Sequence, residues 1–257
     1  MGDVAQALRA AAAQLEDFSV TPRLDAELLM AHALGIERPV LLLDPARFEV
    51  PAGFAQLVAR RMTHEPVAYI VGHRDFWTIR LAVGPGVLIP RPDSETLVEA
   101  ALSYFAGAGP GRILDLGTGP GTLLLAALAE WPDAAGIGVD ASDAALAYAA
   151  ALGMADRAEF QSGDWGEAVD GPFDLILCNP PYIGDDEALM PDVADHEPAS
   201  ALFAGADGLD DYRRIVPDLP RLLAPGGAAL LEIGHRQRIS VTELAEAAGF
   251  AATCRQD

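Results

Sequence analysis

From residue 112 onward the chain alternates strand-like and helix-like segments, and this alternation constrains the fold more than any other feature. Arg112 to Leu116 is a short apolar run, and Gly117-Thr118-Gly119-Pro120-Gly121 then opens a helix over Thr122 to Glu130. Further strands are expected at Ala135 to Val139, ending at Asp140, then at Ala158 to Gln161, Phe173 to Cys178 and Ala228 to Glu232. A sixth is expected at Ala251 to Cys254. Successive strands separated by helices form a parallel sheet covered on both faces, with ligands collecting at the carboxyl ends of the strands. The fold class predicted is therefore α/β, a Rossmann-like doubly wound sheet.

The first 65 residues carry a different period. Leu24, Leu28, Leu29, Ala31 and Leu34 recur at helical spacing, after Thr21-Pro22 and before Gly35, a start and a stop of the usual kind. A second helix is expected from Gly53 to Met62. This part reads as a small N-terminal helical domain that holds a partner or braces a lid. Residues 66–90 contain β-prone runs at Val67 to Ile70, Phe76 to Leu81 and Val87 to Ile89, with glycines between them. They read as a β-hairpin linker to a domain over residues 91–257, whose first helix starts near Asp93 or Ser94.

Charge narrows the range of partners. The formal net charge is −21, and the 17 positive side chains are all arginine. Without lysine there is no Schiff-base chemistry, lysine base or Walker-type phosphate loop. A strongly acidic surface repels phosphate backbones, so direct binding to nucleic acid is not expected. Two cysteines in 257 residues make no disulfide framework and match no metal spacing, which suits a reducing cytoplasm. No run reaches the roughly 18 apolar residues of a membrane span, and no signal peptide or metal site is read.

The glycine turn at 117–121 lets a ligand approach the backbone closely. Asp140, at the end of the next strand, stands where an acid would hold two ribose hydroxyls, and together they favour an adenosine ligand. A nicotinamide dinucleotide and S-adenosylmethionine both fit at this point. Gly163-Asp164-Trp165 adds an acid and an aromatic ring where an adenine would lie.

Asp174 to Cys178 then delivers Asn179-Pro180-Pro181-Tyr182. The prolines remove two N–H donors, keep their carbonyls as acceptors and stiffen the turn. A planar NH2 group finds acceptors in the Asn179 side-chain oxygen and the Pro180 carbonyl, and Tyr182 offers it a flat face. Holding both N–H groups aims the nitrogen lone pair at a methyl donor. The choice falls on S-adenosylmethionine. The four residues alone leave open whether the acceptor is a base or an amide.

Flanking segments carry a resemblance. The chain is similar over nearly its whole length to the release-factor glutamine N5-methyltransferases, a class I methyltransferase family. The matching segments are Glu65 to Ile70, Phe76-Trp77, Leu88 to Glu95, Leu114 to Gly121, Asp164-Trp165, Asn179 to Ile183, His196-Glu197-Pro198 and Leu231 to Gly234. The resemblance implies methylation of the glutamine in the Gly-Gly-Gln motif of peptide chain release factors, and the protein is expected to act as a monomer. It implies that Gly117, Thr118, Gly119, Pro120, Gly121, Asp140, Trp165 and Asn179 contact the donor. Asn179, Pro180, Pro181 and Tyr182 would hold the glutamine, with Asn179, Pro180 and Tyr182 as the catalytic group. The alternatives are a nucleic-acid adenine N6- or guanine N2-methyltransferase and a ribosomal-protein glutamine methyltransferase.

Three places depart from that family pattern. The helix after Asp140, Ala141 to Leu152, is about one turn short and lacks an asparagine. Pro120 takes the place of a small residue in the glycine turn. The chain stops at Arg255-Gln256-Asp257, before a final strand that would otherwise cover sheet edges.

Overall fold

The computed structural model describes residues 3–152, 154 and 156–256. The chain divides into two compact units, Met1–His73 with Leu189–His196, and Arg74–Ala188 with Glu197–Asp257.

The first unit is helical. It contains α1 (Val4–Gln14), α2 (Pro22–Leu34), α3 (Arg38–Leu43), α4 (Phe54–Arg61) and α5 (Val67–Val71). Asp3 caps α1 by accepting from Ala5 N at 2.9 Å, and Gly35 ends α2 in the left-handed region with φ of 67°. Leu8, Leu15, Leu29, Met30, Leu41, Phe54, Val58 and Ile70 form its core. Val67 to Ile70, expected as a strand, is instead helical. Pro66 starts the turn by accepting from Tyr69 N and Ile70 N, and Gly72 stops it with φ of 81°. Capping at both ends overrides the β-propensity of valine and isoleucine.

A later stretch of chain completes this unit. Residues 189–196 contribute a one-turn α9 (Pro191–Ala194). Arg61, 3% exposed, donates to Asp25 Oδ2 at 2.7 Å and to Asp192 Oδ2 at 2.6 Å. His64 Nδ1 lies 3.2 Å from Asp192 Oδ1. A buried guanidinium paired with carboxylates on two sides is not stranded as a lone charge, so it can sit in an otherwise apolar bundle even though its Nη1 has no hydrogen-bond partner among the described residues.

The second unit opens with a hairpin, β1 (His73–Phe76) and β2 (Ile79–Ala82). Val87 to Ile89, expected as a third β-run, is irregular. Val87 N closes a turn onto Gly84 O, and Ile89 N donates to the Glu197 carboxylate rather than to a ladder. A one-turn helix at Pro92–Ser94 then leads into α6 (Glu95–Tyr104).

The remaining elements are β3 (Arg112–Leu116), α7 (Thr122–Glu130), β4 (Ala135–Asp140), α8 (Asp143–Ala149), β5 (Ala158–Ser162) and β6 (Phe173–Cys178). After α9 come α10 (Asp210–Ile215), α11 (Leu219–Leu222), β7 (Leu223–Leu231) and α12 (Arg238–Ala247). The five strands from β3 onward make one parallel sheet in the order β5-β4-β3-β6-β7. Registers of Leu116 with Val139 and Cys178, and of Cys178 with Leu231, bring the carboxyl ends of four strands level. Leu114, Leu116, Val139, Ile176 and Cys178 are fully buried, as strands covered on both faces require.

The expected strand at Ala251 to Cys254 is absent, and β7 is an edge strand among the described residues. Gly249, with φ of 91°, turns the chain out of α12 while Phe250 N donates to Ala245 O. Beyond it, a cavity of about 780 Å³ is lined by residues of α6, β7, α12 and the segment 250–255, so no ladder closes there. Seven residues of α8 are followed by a single 3-10 turn, Ala150–Leu152.

Candidate active site

Two strand ends of the second unit build the site. At the end of β3, Gly117 N and Thr118 N both donate to Val139 O at 2.9 Å, tying the glycine turn to β4. Gly117 has φ of 68°, which L side chains rarely adopt, and a Cβ there would lie 3.0 Å from the Trp165 ring and press on it. Gly119 also has positive φ, 56°, but a Cβ there would meet open space. Its bare backbone faces the cavity. Gly121 precedes α7 and donates its N–H to Thr118 O.

Beneath this turn lies Asp115, 1% exposed. Its Oδ2 accepts from Thr118 Oγ1 at 2.7 Å and from Leu124 N at 3.1 Å. Its Oδ1 is buried with no hydrogen-bond partner among the described residues. Burial pushes this carboxyl up to about 7, with Asp140 adding to the rise and the two hydrogen bonds opposing it. Asp140 accepts from Gly119 N through Oδ2 and from Ser142 N through Oδ1, both at 2.8 Å. Each carboxylate oxygen has two lone pairs, so Asp140 keeps acceptor capacity on both.

These residues surround a cavity of about 340 Å³, whose wall includes Gly117, Thr118, Gly119, Pro120, Asp140 and Trp165. Gly121 stands behind the wall, which passes from Pro120 to Thr122. Trp165 adopts φ of 50° and shares a hydrogen bond with Asp211, whose carboxyl is raised chiefly by burial. Asp164 is exposed and pairs with Arg214 at 2.5 Å.

At the end of β6, Asn179 and Pro181 line the same cavity. Pro180 and Pro181 are buried. Asn179 Nδ2 donates to Ser94 Oγ at 3.0 Å, and Ser94 Oγ donates to Glu232 Oε2 at 2.5 Å. Tyr182 OH donates to Glu232 Oε1 at 3.4 Å, and its hydroxyl is pushed up to about 12 by burial and by Glu232. Tyr182 and Glu232 line the larger cavity of about 780 Å³, so Asn179 and Pro181 face one space and Tyr182 the other, with Pro180 on neither wall. Glu232 has its own carboxyl raised, chiefly by burial. Its backbone is held from both sides, N–H to Cys178 O and carbonyl to Tyr212 OH.

Glu232 faces Ser94 and Tyr182. Arg91 pairs with the buried Glu197 at 2.5 Å, and Glu95 accepts from Trp77 N. His196 Nε2 lies 3.2 Å from Thr63 O, inside the helical unit. Sequence pattern alone gives no role to Asp115, Ser94 or Asp211. Asp115 does carry a legible signal, an acid inside an otherwise apolar strand immediately before the glycine turn. Among the described residues no group of three or more acidic, histidine or cysteine side chains is placed to hold a metal.

Known proteins resemble this chain over most of its length. The family profile of the PrmC N-terminal domain matches residues 6–72, and that of a methyltransferase domain matches residues 110–247. Release factor glutamine methyltransferase of Rhodospirillum rubrum is 50% identical over 238 residues, 89% of this chain and 73% of that protein. The Cereibacter sphaeroides protein of the same name is 47% identical over 258 residues, 96% of this chain and 91% of that one. Among solved structures, the catalytic domain of hMettl16 in complex with the MAT2A 3'UTR hairpin 6 superposes with a TM-score of 0.53. At 15% identity, covering 67% of this chain and 68% of that one, it shares the fold alone. The chain belongs to the release factor glutamine methyltransferase family.

Proposed function

We propose that this protein transfers a methyl group from S-adenosylmethionine to the side-chain amide nitrogen of the glutamine in the Gly-Gly-Gln motif of a peptide chain release factor. The observation that carries the reading is Asn179, at the end of β6, on the wall of the cavity built by the glycine turn. An amide-binding group and a nucleoside-sized cavity share one wall.

The cavity suits the donor chemically. Asp115 Oδ1 is a buried acceptor without a partner, a place that welcomes a cation. Asp140 offers paired acceptors for ribose hydroxyls, and Trp165 supplies an apolar face. Gly117, Thr118, Gly119, Pro120 and Gly121 form the turn that lets the donor lie close to backbone. When bound, S-adenosylmethionine supplies an electrophilic methyl group on a cationic sulfur. Asn179 Oδ1 and the Pro180 carbonyl accept from the two N–H groups of the substrate amide and keep its lone pair aimed across the cavity. Pro181 stiffens the turn, and Tyr182 packs on the amide plane. No strong base precedes attack, because the methylated nitrogen is acidic and sheds its proton readily.

The helical unit is the part we assign to recognition of the release factor, and the second unit to methyl transfer. No helix among the described residues is long and apolar enough to cross a membrane. With the net charge of −21 and two free cysteines, this supports a monomer acting on a protein in the cytoplasm, without direct contact to nucleic acid. A methyl-transfer assay with labelled donor tests the proposal. Label should enter an intact release factor but not one with the motif glutamine replaced; equal labelling of both sinks it. A short Gly-Gly-Gln peptide should react poorly, since it forgoes remote binding energy.

A further inference from the structure

We propose that Ser94 and Glu232 form a positioning pair that fixes which end of the Asn179 amide faces the substrate. The inference rests on the reading of Asn179 as the holder of the methyl-accepting amide.

An asparagine side chain is nearly symmetric in shape but opposite in polarity at its two ends. Only one of its two orientations presents an acceptor to an incoming NH2 group. Nothing in the Asn-Pro-Pro-Tyr run itself selects that orientation. Ser94 and Glu232 do. The Ser94 hydroxyl has one proton, and it is directed to Glu232 Oε2 at 2.5 Å. Ser94, Tyr182 and Asn179 all aim donors at Glu232 and favour its ionised, accept-only form against burial, so the serine oxygen has nothing left to donate and can only accept from Asn179. Asn179 therefore turns Nδ2 to Ser94, at 3.0 Å, and Oδ1 the other way.

The relay is rigid at each joint. Ser94 is 2% exposed, in the one-turn helix that precedes α6. Glu232 follows β7 with both backbone polar groups bonded, and Tyr182 OH steadies its other oxygen at 3.4 Å. Ser94 lines the smaller cavity with Asn179, whereas Glu232 lines the larger one with Tyr182. Glu232 thus sets polarity from outside the donor cavity, and it is a positioning residue rather than a catalytic one.

Removing the carboxylate's one-way character releases the constraint. In Glu232→Gln the glutamine amide can donate to Ser94, which frees the serine proton to donate to Asn179 Oδ1 and inverts the amide. In Ser94→Ala the hydroxyl link is gone and only the direct contact of Asn179 with Glu232 is left, while Ser94→Thr keeps a hydroxyl at the same place.

The test uses the full chain with an intact release factor, reading kcat, substrate KM, donor Kd by calorimetry and thermal midpoint. E232Q and S94A are expected to lower kcat on the order of 10- to 100-fold, the scale at which misaiming acts. Donor Kd should stay within about threefold in E232Q, because Glu232 lies on the wall of the larger cavity and not on that of the donor cavity. S94T should recover most of the loss. In 15N-labelled protein the Asn179 side-chain NH2 signal, assigned by its disappearance in N179A, should exchange faster with solvent in S94A than in the unaltered chain. Unchanged kcat in both E232Q and S94A overturns the proposal. So does a loss that tracks falling donor affinity or thermal midpoint, or that S94T fails to recover, since each marks a merely structural role. N179A separates the two layers: if it turns over like the unaltered chain, the amide-holding reading itself fails and this inference falls with it.

Discussion

The ends of β3 and β6 meet at one cavity but are organised by different means. At β3 the geometry is set by the main chain. Two N–H groups bind Val139 O, Gly119 N binds Asp140, and positive φ angles at Gly117 and Gly119 expose backbone to the cavity. Those partners lie within about one strand–helix–strand unit of one another in sequence. At β6 the geometry is set by side chains from distant segments, Ser94 lying 85 positions from Asn179 and 138 from Glu232. A backbone cradle tolerates changes of side chain around it, whereas a side-chain relay fails when one member changes. The first end suits a ligand recognised by shape, the second a step that depends on orientation.

Substitutions can break that comparison in opposite directions. The largest effect is expected from Asn179→Ala, which should lower kcat by at least about 100-fold while leaving donor Kd within a few-fold, because orientation rather than occupancy is lost. Steady-state kinetics beside calorimetry would show the split; a parallel loss of donor affinity would mean that the two ends are not separable. Gly117→Val should do the reverse. A β-branched residue at φ of 68°, with its Cβ 3.0 Å from Trp165, distorts the turn. Donor Kd should rise by about tenfold or more, with a stability cost on the order of 1–3 kcal/mol.

The third prediction concerns pH. In the unfolded chain Asp115 takes its ordinary value of 3.8, and in the donor-free fold it is raised to about 7. Between those values the folded state binds the extra proton, so stability falls as pH rises from about 4 to about 7, and the whole loss is present above that. The contribution is on the order of a few kcal/mol, at roughly 1.4 kcal/mol for each tenfold change in proton affinity. A bound cation favours the ionised carboxyl, so the donor's increment in thermal midpoint should grow across the same window. Asp115→Asn should flatten both trends; if the increment is flat in the unaltered chain, Asp115 is not what meets the cation.

How much of this is legible in the sequence follows the same division. The alternation after residue 112 specifies the sheet, since parallel strands leave a local pattern of apolar run, glycine turn and helix. The glycine turn, Asp140 and Asn179 are readable because each sits at a strand end within such a pattern. Ser94 and Glu232 are not. Their role exists only through a contact across a long sequence separation, and a serine before a helix reads as a cap. Val67 to Ile70 misleads for another reason. Its residues favour strands, but Pro66 and Gly72 define a single helical turn, and termini dominate so short a segment. Ala251 to Cys254 has strand-like composition, but among the described residues nothing pairs with it.

The excursion of residues 189–196 into the helical unit has a practical consequence. Because α9 is bonded through Asp192 to Arg61 and His64, that unit is discontinuous in sequence, and the main chain passes into or out of it three times. A protease cut after residue 73 would leave residues 1–73 held only by non-covalent contacts to α9, itself still tethered at both ends, so nicked protein should not release a free N-terminal fragment until the buried Arg61–Asp192 contact opens. Exchanging helical units between relatives is likewise a two-segment graft, in which Arg61 and Asp192 must travel together or a buried charge is stranded without its partner.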